Sequence, residues 1–271
     1  MGKFDGVLLA SDYDATFAIG FDVPPANLEM VEYFKAHGGK FTISTGRAFH
    51  TFGMVRPCVP LHIPVILANG AMIYDYDKKE VLFSRPLPPE ATEDMILLGR
   101  LHPEMGLEVY HGETTIYAWN VNPYMEVHRD YLKDCTFHIV EDIGEIPQPW
   151  DKAIFEHERH ILVSLQEEIL SRWGDRYEAF LSADTMLELN AKGCTKGAGV
   201  LRLAGMLGIE REHIYCVGDN QNDISMLEIS AIPFAPEDAI PMVKELPGIR
   251  ILPPCAEGAV AALIRQLDVI Y

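Results

Sequence analysis

Positive charge is scarce in this sequence: 22 lysines and arginines stand against 40 aspartates and glutamates, a net charge of -18. That balance excludes a diffuse surface for nucleic acid or an anionic membrane, and any anionic ligand must find local cations. Cysteine is also sparse. Five residues (Cys58, Cys135, Cys194, Cys216 and Cys255), none in a CxxC pair and odd in total, exclude a disulfide framework and a thiolate zinc site. A reducing cytoplasm is the expected compartment. The ten histidines are dispersed and suggest no ligand set. No segment approaches the roughly 18 apolar residues of a membrane helix. The apolar run near the start stops at Asp12, too soon for a signal peptide. There is no internal repeat or low-complexity tract. What is present is a chain of 271 residues, 48% hydrophobic, enough for one large or two medium domains, and two is the working number.

Short apolar runs alternate with helix-period segments from the start. Strands are expected over residues 7–10, 41–44 and 65–68, with helices over 25–37 and 49–55, the rhythm of a parallel sheet. Pro25 and Gly38-Gly39 mark the first helix at its two ends. From residue 84, after the proline-rich RPLPPEAT, the rhythm changes. Consecutive strands near 107–110 and 115–119 imply antiparallel pairing, a helix follows near 124–133, and KAIFE, HILVSLQEEIL, YEAFLS and TMLELN continue a mixed pattern. The alternation returns with helices over 195–207, 223–229 and 256–267 and strands over 214–217 and 231–234. The expected architecture is α/β: a parallel-sheet core of residues 1–83 and 189–271, with residues 84–188 as an inserted α+β domain.

In an open parallel sheet, ligands bind beyond the carboxyl ends of the strands. Four stretches fall there or at a helix start: SDYDATF after the first strand, STGR (44–47) after the second, CTKG (194–197), and GDNQND (218–223). Asp12, Asp14, Asp219 and Asp223 would converge at one edge and repel one another unless a cation or protons intervene. Oxygen ligands with no adjacent His or Cys favour Mg2+. Lys196 at a helix start opposes the macrodipole, so an anion is expected beside it, with glycines allowing close backbone approach. Thr45 and the backbone around Gly46 offer neutral donors to the same anion, and Arg47 either assists or is structural. Taken singly, an Asp-x-Asp after a strand, a Thr-Gly turn or a lysine at a helix start also reads as ordinary turn chemistry or a solvated charge. Their order around one sheet edge is what favours a single site.

That ordered set resembles the haloacid dehalogenase superfamily, specifically Cof-type phosphatases with a large inserted cap, across essentially the whole chain. DYDAT is similar to the Asp-x-Asp-x-Thr first motif, STGR to the second, LELNAKGCTKG to the segment carrying the lysine, and GDNQNDISML to the acidic fourth motif. Ala15 stands where the motif usually has glycine, and IPFAPEDA departs from the usual Gly-Asn. The resemblance implies a Rossmann-like core with a cap that closes over the site, and a phosphatase of small phosphate monoesters, sugar phosphates foremost. In it Asp12 is the nucleophile, Asp14 the acid and base, and Thr45 and Lys196, with Gly46 and Arg47, bind the phosphoryl oxygens. Mg2+ is held by Asp12, the Asp14 carbonyl and Asp219, with Asn222 and Asp223 ordering its waters or Lys196. Three rivals stand beside this reading: a phosphomutase on the same scaffold, a phospho-accepting signalling receiver, and a binding protein without turnover. Tyr110, Tyr117, Trp119 and His128 are read as cap core rather than as a substrate-facing set.

Overall fold

The apolar run Leu8–Ser11 forms β1, buried along its whole length. This fixes it as an interior strand rather than an edge. The structure is a computed structural model that describes residues 2–112, 114–132 and 135–271. After β1 come α1 (Pro25–Ala36), β2 (Lys40–Ile43), α2 (Phe49–Val55), β3 (Val65–Leu67), β4 (Met72–Asp75) and β5 (Glu80–Ser84). Next are α3 (Ala91–Leu101), β6 (Gly106–His111), β7 (Thr115–Trp119), α4 (Pro123–Tyr131), β8 (Thr136–Val140), β9 (Lys152–Glu156), α5 (Arg159–Trp173), β10 (Tyr177–Ala183) and β11 (Met186–Ala191). The chain ends with α6 (Lys196–Leu207), β12 (Ile214–Val217), α7 (Ile224–Leu227), β13 (Pro233–Pro236), α8 (Pro241–Lys244), β14 (Arg250–Leu252) and α9 (Ala259–Ile270).

The elements divide into two compact units. The first comprises residues up to Gly46, Gly53–Ser84 and Thr195–Tyr271; the second comprises Arg47–Phe52 and Arg85–Cys194. The return to the first unit, expected at residue 189, comes only after Cys194, because β11 runs on to Ala191 in register with β10. Segment 47–52 joins the second unit although its sequence lies within the first.

In the first unit the sheet order is β14-β13-β12-β1-β2, all neighbours parallel. Leu8, Ala10, Ile214 and Cys216 pack with Val200, Leu203 and Leu227 in one apolar cluster, while α1 and α9 lie together elsewhere in the unit. Buried Asn27 on α1 donates to the Phe17 carbonyl oxygen (2.9 Å) and accepts from the Ala261 N–H on α9 (2.8 Å). It thereby ties the loop after β1 to both helices. The strand expected at 65–68 departs from the parallel rhythm: a single parallel bridge joins Ser44 to Ile66, and β3 otherwise pairs antiparallel with β4, which pairs with β5. The last helix begins at Ala259, not 256, because Gly258 takes a left-handed φ of 86° after a short turn of 3-10 helix.

The second unit has a six-stranded sheet of order β10-β11-β9-β6-β7-β8. Its pairings are antiparallel except β7 with β8, which α4 connects as a crossover. Met95, Leu98, Leu162, Leu165 and Ile169 of α3 and α5 join Leu107, Val109, Phe155 and Leu187 in its main apolar cluster. Tyr117 and Trp119 pack against that cluster as core, whereas Tyr110 belongs to a second cluster with Ile116 and Ile154. Residue 133, expected in the helix after β7, lies outside the described residues. Among the described residues no helix is long and apolar enough to cross a membrane.

Candidate active site

β1 and β12 are parallel neighbours in register, Ser11 opposite Val217, so the residues that follow them emerge side by side. The Asp12 N–H donates to the Val217 carbonyl oxygen (2.9 Å), and the Ser11 hydroxyl to the Asp12 carbonyl oxygen (2.6 Å). Both bonds fix the backbone from which the Asp12 carboxylate projects, and that residue is buried.

The opposing cation comes from the start of α6. Thr195 caps this helix, its hydroxyl accepting from the Ala198 N–H at 3.1 Å. Lys196, the first helical residue, is fully buried and donates to Asp12 Oδ1 (2.7 Å) and Asp223 Oδ1 (2.5 Å). Burial alone would lower its pKa, but Asp12 and Asp223 outweigh that and raise it. The ammonium is therefore locked in its charged form, answered by two carboxylates.

Asp223 is a scaffold as much as a charge. Its Oδ2 accepts from the Asp219 and Asn220 N–H groups, both at 2.9 Å, which winds the loop after β12 around it. Gly218 permits this: a Cβ there would stand 2.4 Å from Asp223 Cγ. Asp219 is held by Thr16, whose hydroxyl donates to Asp219 Oδ1 at 2.7 Å. Asp12, Asp219 and Asp223 each place an oxygen within 4.8 Å of the others. Burial, then Asp223, drives Asp12 well above the usual carboxylate range despite Lys196. Burial and Asp223 push Asp219 up to about 6. Three carboxylates against one ammonium leave an excess of negative charge, and the donors are all oxygen. This fits a hard divalent cation on Asp12 and Asp219.

The remaining expected residues are placed as follows. Asp14 is exposed, in the loop after β1, and its carboxylate is not in the close group of three. Of the four aspartates expected to converge, Asp14 thus stands apart, which leaves its backbone carbonyl as the atom a cation could take. Ala15 adopts φ 57°, the left-handed region that explains why related motifs use glycine there. Thr45 and Gly46 follow β2, with Thr45 buried and its N–H on the Ile66 carbonyl oxygen (3.0 Å). Arg47 falls in the second unit, where its Nη1 donates to the Thr51 carbonyl oxygen (3.3 Å). Buried Asn222 donates to Asn69 Oδ1 at 3.0 Å. Thr16, Asn69 and Ser225, whose hydroxyl accepts from the Gly197 N–H at the start of α6 (3.1 Å), are supporting residues to which sequence reading assigned no role. Only Thr16 carried a signal, as the last polar residue of DYDAT.

In the second unit His128, one of the dispersed histidines, sits with Glu108 and Glu156, their polar atoms within 4.8 Å of one another.

The chain is 25% identical over 264 residues to the HMP-PP phosphatase of Serratia proteamaculans, covering 97% of this chain and 92% of that one. It is 27% identical over 262 residues to the 5-amino-6-(5-phospho-D-ribitylamino)uracil phosphatase YwtE of Bacillus subtilis, covering 88% and 90%. Its fold superposes on the HAD subclass IIB sugar phosphatase BT4131 with a TM-score of 0.82 at 22% identity, covering 97% and 99%. The model of the haloacid dehalogenase-like hydrolase family matches residues 9–264, nearly the whole chain, and the chain therefore belongs to the haloacid dehalogenase-like hydrolases.

Proposed function

We propose that this hydrolase is a Mg2+-dependent phosphatase of small phosphate monoesters, with sugar phosphates as the leading class, acting through an aspartyl-phosphate on Asp12. The observation that carries it is the buried Lys196 ammonium shared by Asp12 and Asp223, with Asp219 beside them. Asp12 and Asp219, with the Asp14 carbonyl, would hold the cation, which supplies charge neutralisation so that an anionic phosphate can approach a carboxylate. Curated relatives bearing phosphatase names support the same reading.

The chemistry falls to the chain's own residues. An Asp12 carboxylate oxygen attacks phosphorus while the bond to the leaving oxygen breaks, and the exposed Asp14 gives that oxygen its proton. Asp14, now a carboxylate, takes a proton from water as the water oxygen attacks phosphorus, which releases phosphate and regenerates Asp12. Lys196 and Thr45 bind phosphoryl oxygens.

Inorganic phosphate release from an aryl phosphate and from a panel of sugar phosphates, with Mg2+ and after chelation, tests the activity. Turnover that survives exhaustive chelation refutes metal dependence. Isomerised sugar phosphate in place of free phosphate would make the protein a mutase, and a stable adduct without turnover a receiver. Asp14→Asn keeps the backbone carbonyl, so Mg2+ affinity should hold while kcat falls by about 10²–10⁴-fold. Asp219→Asn should weaken Mg2+ binding itself. Equal loss of metal in both variants, read by calorimetric titration, would assign the Asp14 carboxylate to the metal.

A further inference from the structure

β6 and β9 pair antiparallel with Gly106 opposite Glu156 and Glu108 opposite Ile154. Glu108 and Glu156 are therefore diagonal neighbours on one face of the sheet. Neither side chain is exposed at all. α4 crosses this face closely, because Gly106 has no side chain: a Cβ there would lie 2.2 Å from Met125 Sδ. Asn122 caps α4 and also donates to the Glu156 carbonyl oxygen (2.7 Å). The result is that His128, on the next turn of α4, brings Nδ1 to 2.9 Å from Glu156 Oε1 and 3.1 Å from Glu108 Oε2.

One ring nitrogen thus faces two carboxylates, and a single N–H serves only one of them well. The bond goes to Glu156. Both oxygens of Glu108 and Oε2 of Glu156 are buried with no hydrogen-bond donor among the described residues. The close ion-pair contacts of both glutamates are with the same imidazole nitrogen. Even with His128 protonated, two ionised glutamates leave one negative charge unanswered, and buried carboxylate oxygens without donors are costly.

We propose that Glu108, Glu156 and His128 form a second metal site, distinct from the aspartate site, for a first-row divalent cation of the zinc kind that clips α4 to β6 and β9. The three donor atoms lie within 4.8 Å of one another. The two donor pairs at 2.9 and 3.1 Å approach the separation of about 3.3 Å that ligands keep on a tetrahedral cation with bonds of about 2.0 Å. An imidazole nitrogen among the donors selects against Mg2+ and for zinc-like ions. The cation replaces the imidazole proton, gives the Glu108 carboxylate a partner, and balances both glutamates.

The test is calorimetric titration of Zn2+ into the full-length protein in saturating Mg2+, which keeps the aspartate site filled. One equivalent is expected to bind, and Glu108→Gln and Glu156→Gln should each weaken it by at least about 10–100-fold. X-ray absorption at the zinc edge of the wild-type protein should show one imidazole with oxygen ligands, a reading that stands even where a variant fails to fold. No bound equivalent, unchanged affinity in both variants, or an all-oxygen environment would each overturn the proposal. The last would place the zinc among the aspartates.

Discussion

Lys196 is fully buried between Asp12 and Asp223, so its removal strands two carboxylates with no counter-charge. Lys196→Met should cost about 3–5 kcal/mol of stability in chelator, measured by denaturant unfolding. Adding Asp223→Asn should return part of that, because the second change removes one of the stranded charges. Additive losses would mean that Lys196 and Asp223 act independently. The acidic side of the same group makes a pH prediction. Burial and Asp223 raise Asp219 to about 6, above its ordinary carboxylate value, and Asp12 shifts the same way. A carboxyl raised in the folded state stabilises the fold while protonated. That contribution is full below the ordinary carboxylate range of about 4 and is lost as pH rises through about 6. Metal-free protein should therefore lose stability between about pH 4 and 7, while Mg2+, which replaces the proton, should raise Tm more at pH 8 than at pH 5. A Mg2+-induced rise that is flat with pH would contradict the assignment.

The start of α6 sets where Lys196 stands. At Gly197 a Cβ would lie 2.1 Å from the Ser225 carbonyl oxygen, and the Gly197 N–H donates to the Ser225 hydroxyl (3.1 Å). Gly197→Ala should push the helix start off α7, lowering kcat and costing about 1–3 kcal/mol. On the same helix Gly205 is exposed with open space at its Cβ, so Gly205→Ala should stabilise by about 0.5–1 kcal/mol and leave kcat unchanged. Equal effects of the two changes on kcat would dissociate helix placement from turnover. The ends of β1, β2 and β12 were legible because each is an apolar run that stops at polar residues, and a parallel sheet delivers such residues to one edge. The antiparallel turn of β3 into β4 was not legible, since Val65–Leu67 reads the same whichever way its neighbour runs. The parallel pairing of β7 with β8 was hidden because it depends on α4 crossing between them. Glu108, His128 and Glu156 lie at least 20 residues apart in sequence. Only register and the missing side chain at Gly106 bring them together.

For the molecule as a whole, a net charge of -18 repels the phosphate dianion that the proposed reaction needs to capture. Screening should relieve that repulsion. With Mg2+ fixed, kcat/KM for a phosphate monoester should rise about 2–5-fold as ionic strength goes from about 10 to 150 mM. A fall over that range would mean that a local cationic field outweighs the total charge. The second unit is closed at its base, where Arg85 Nη1 donates to the Lys192 carbonyl oxygen (3.0 Å) and so joins the segments by which the chain enters and leaves it.

The sheet order β14-β13-β12-β1-β2 sets β1 between β2 and β12, one neighbour near in sequence and the other far. On the ribosome, at about 5–20 residues per second, β12 follows β1 by roughly 200 residues, or about 10–40 s. Through that interval an apolar strand and the aspartate after it have only half of their final hydrogen-bonding surroundings. Most of the second unit, by contrast, emerges as one unbroken stretch, Arg85–Cys194, and has its sheet partners at hand before β12 exists. Synthesis thus completes Arg85–Cys194 before the first unit, and a nascent chain halted before Lys196 carries Asp12 without the lysine, strand and acidic loop that surround it in the finished fold.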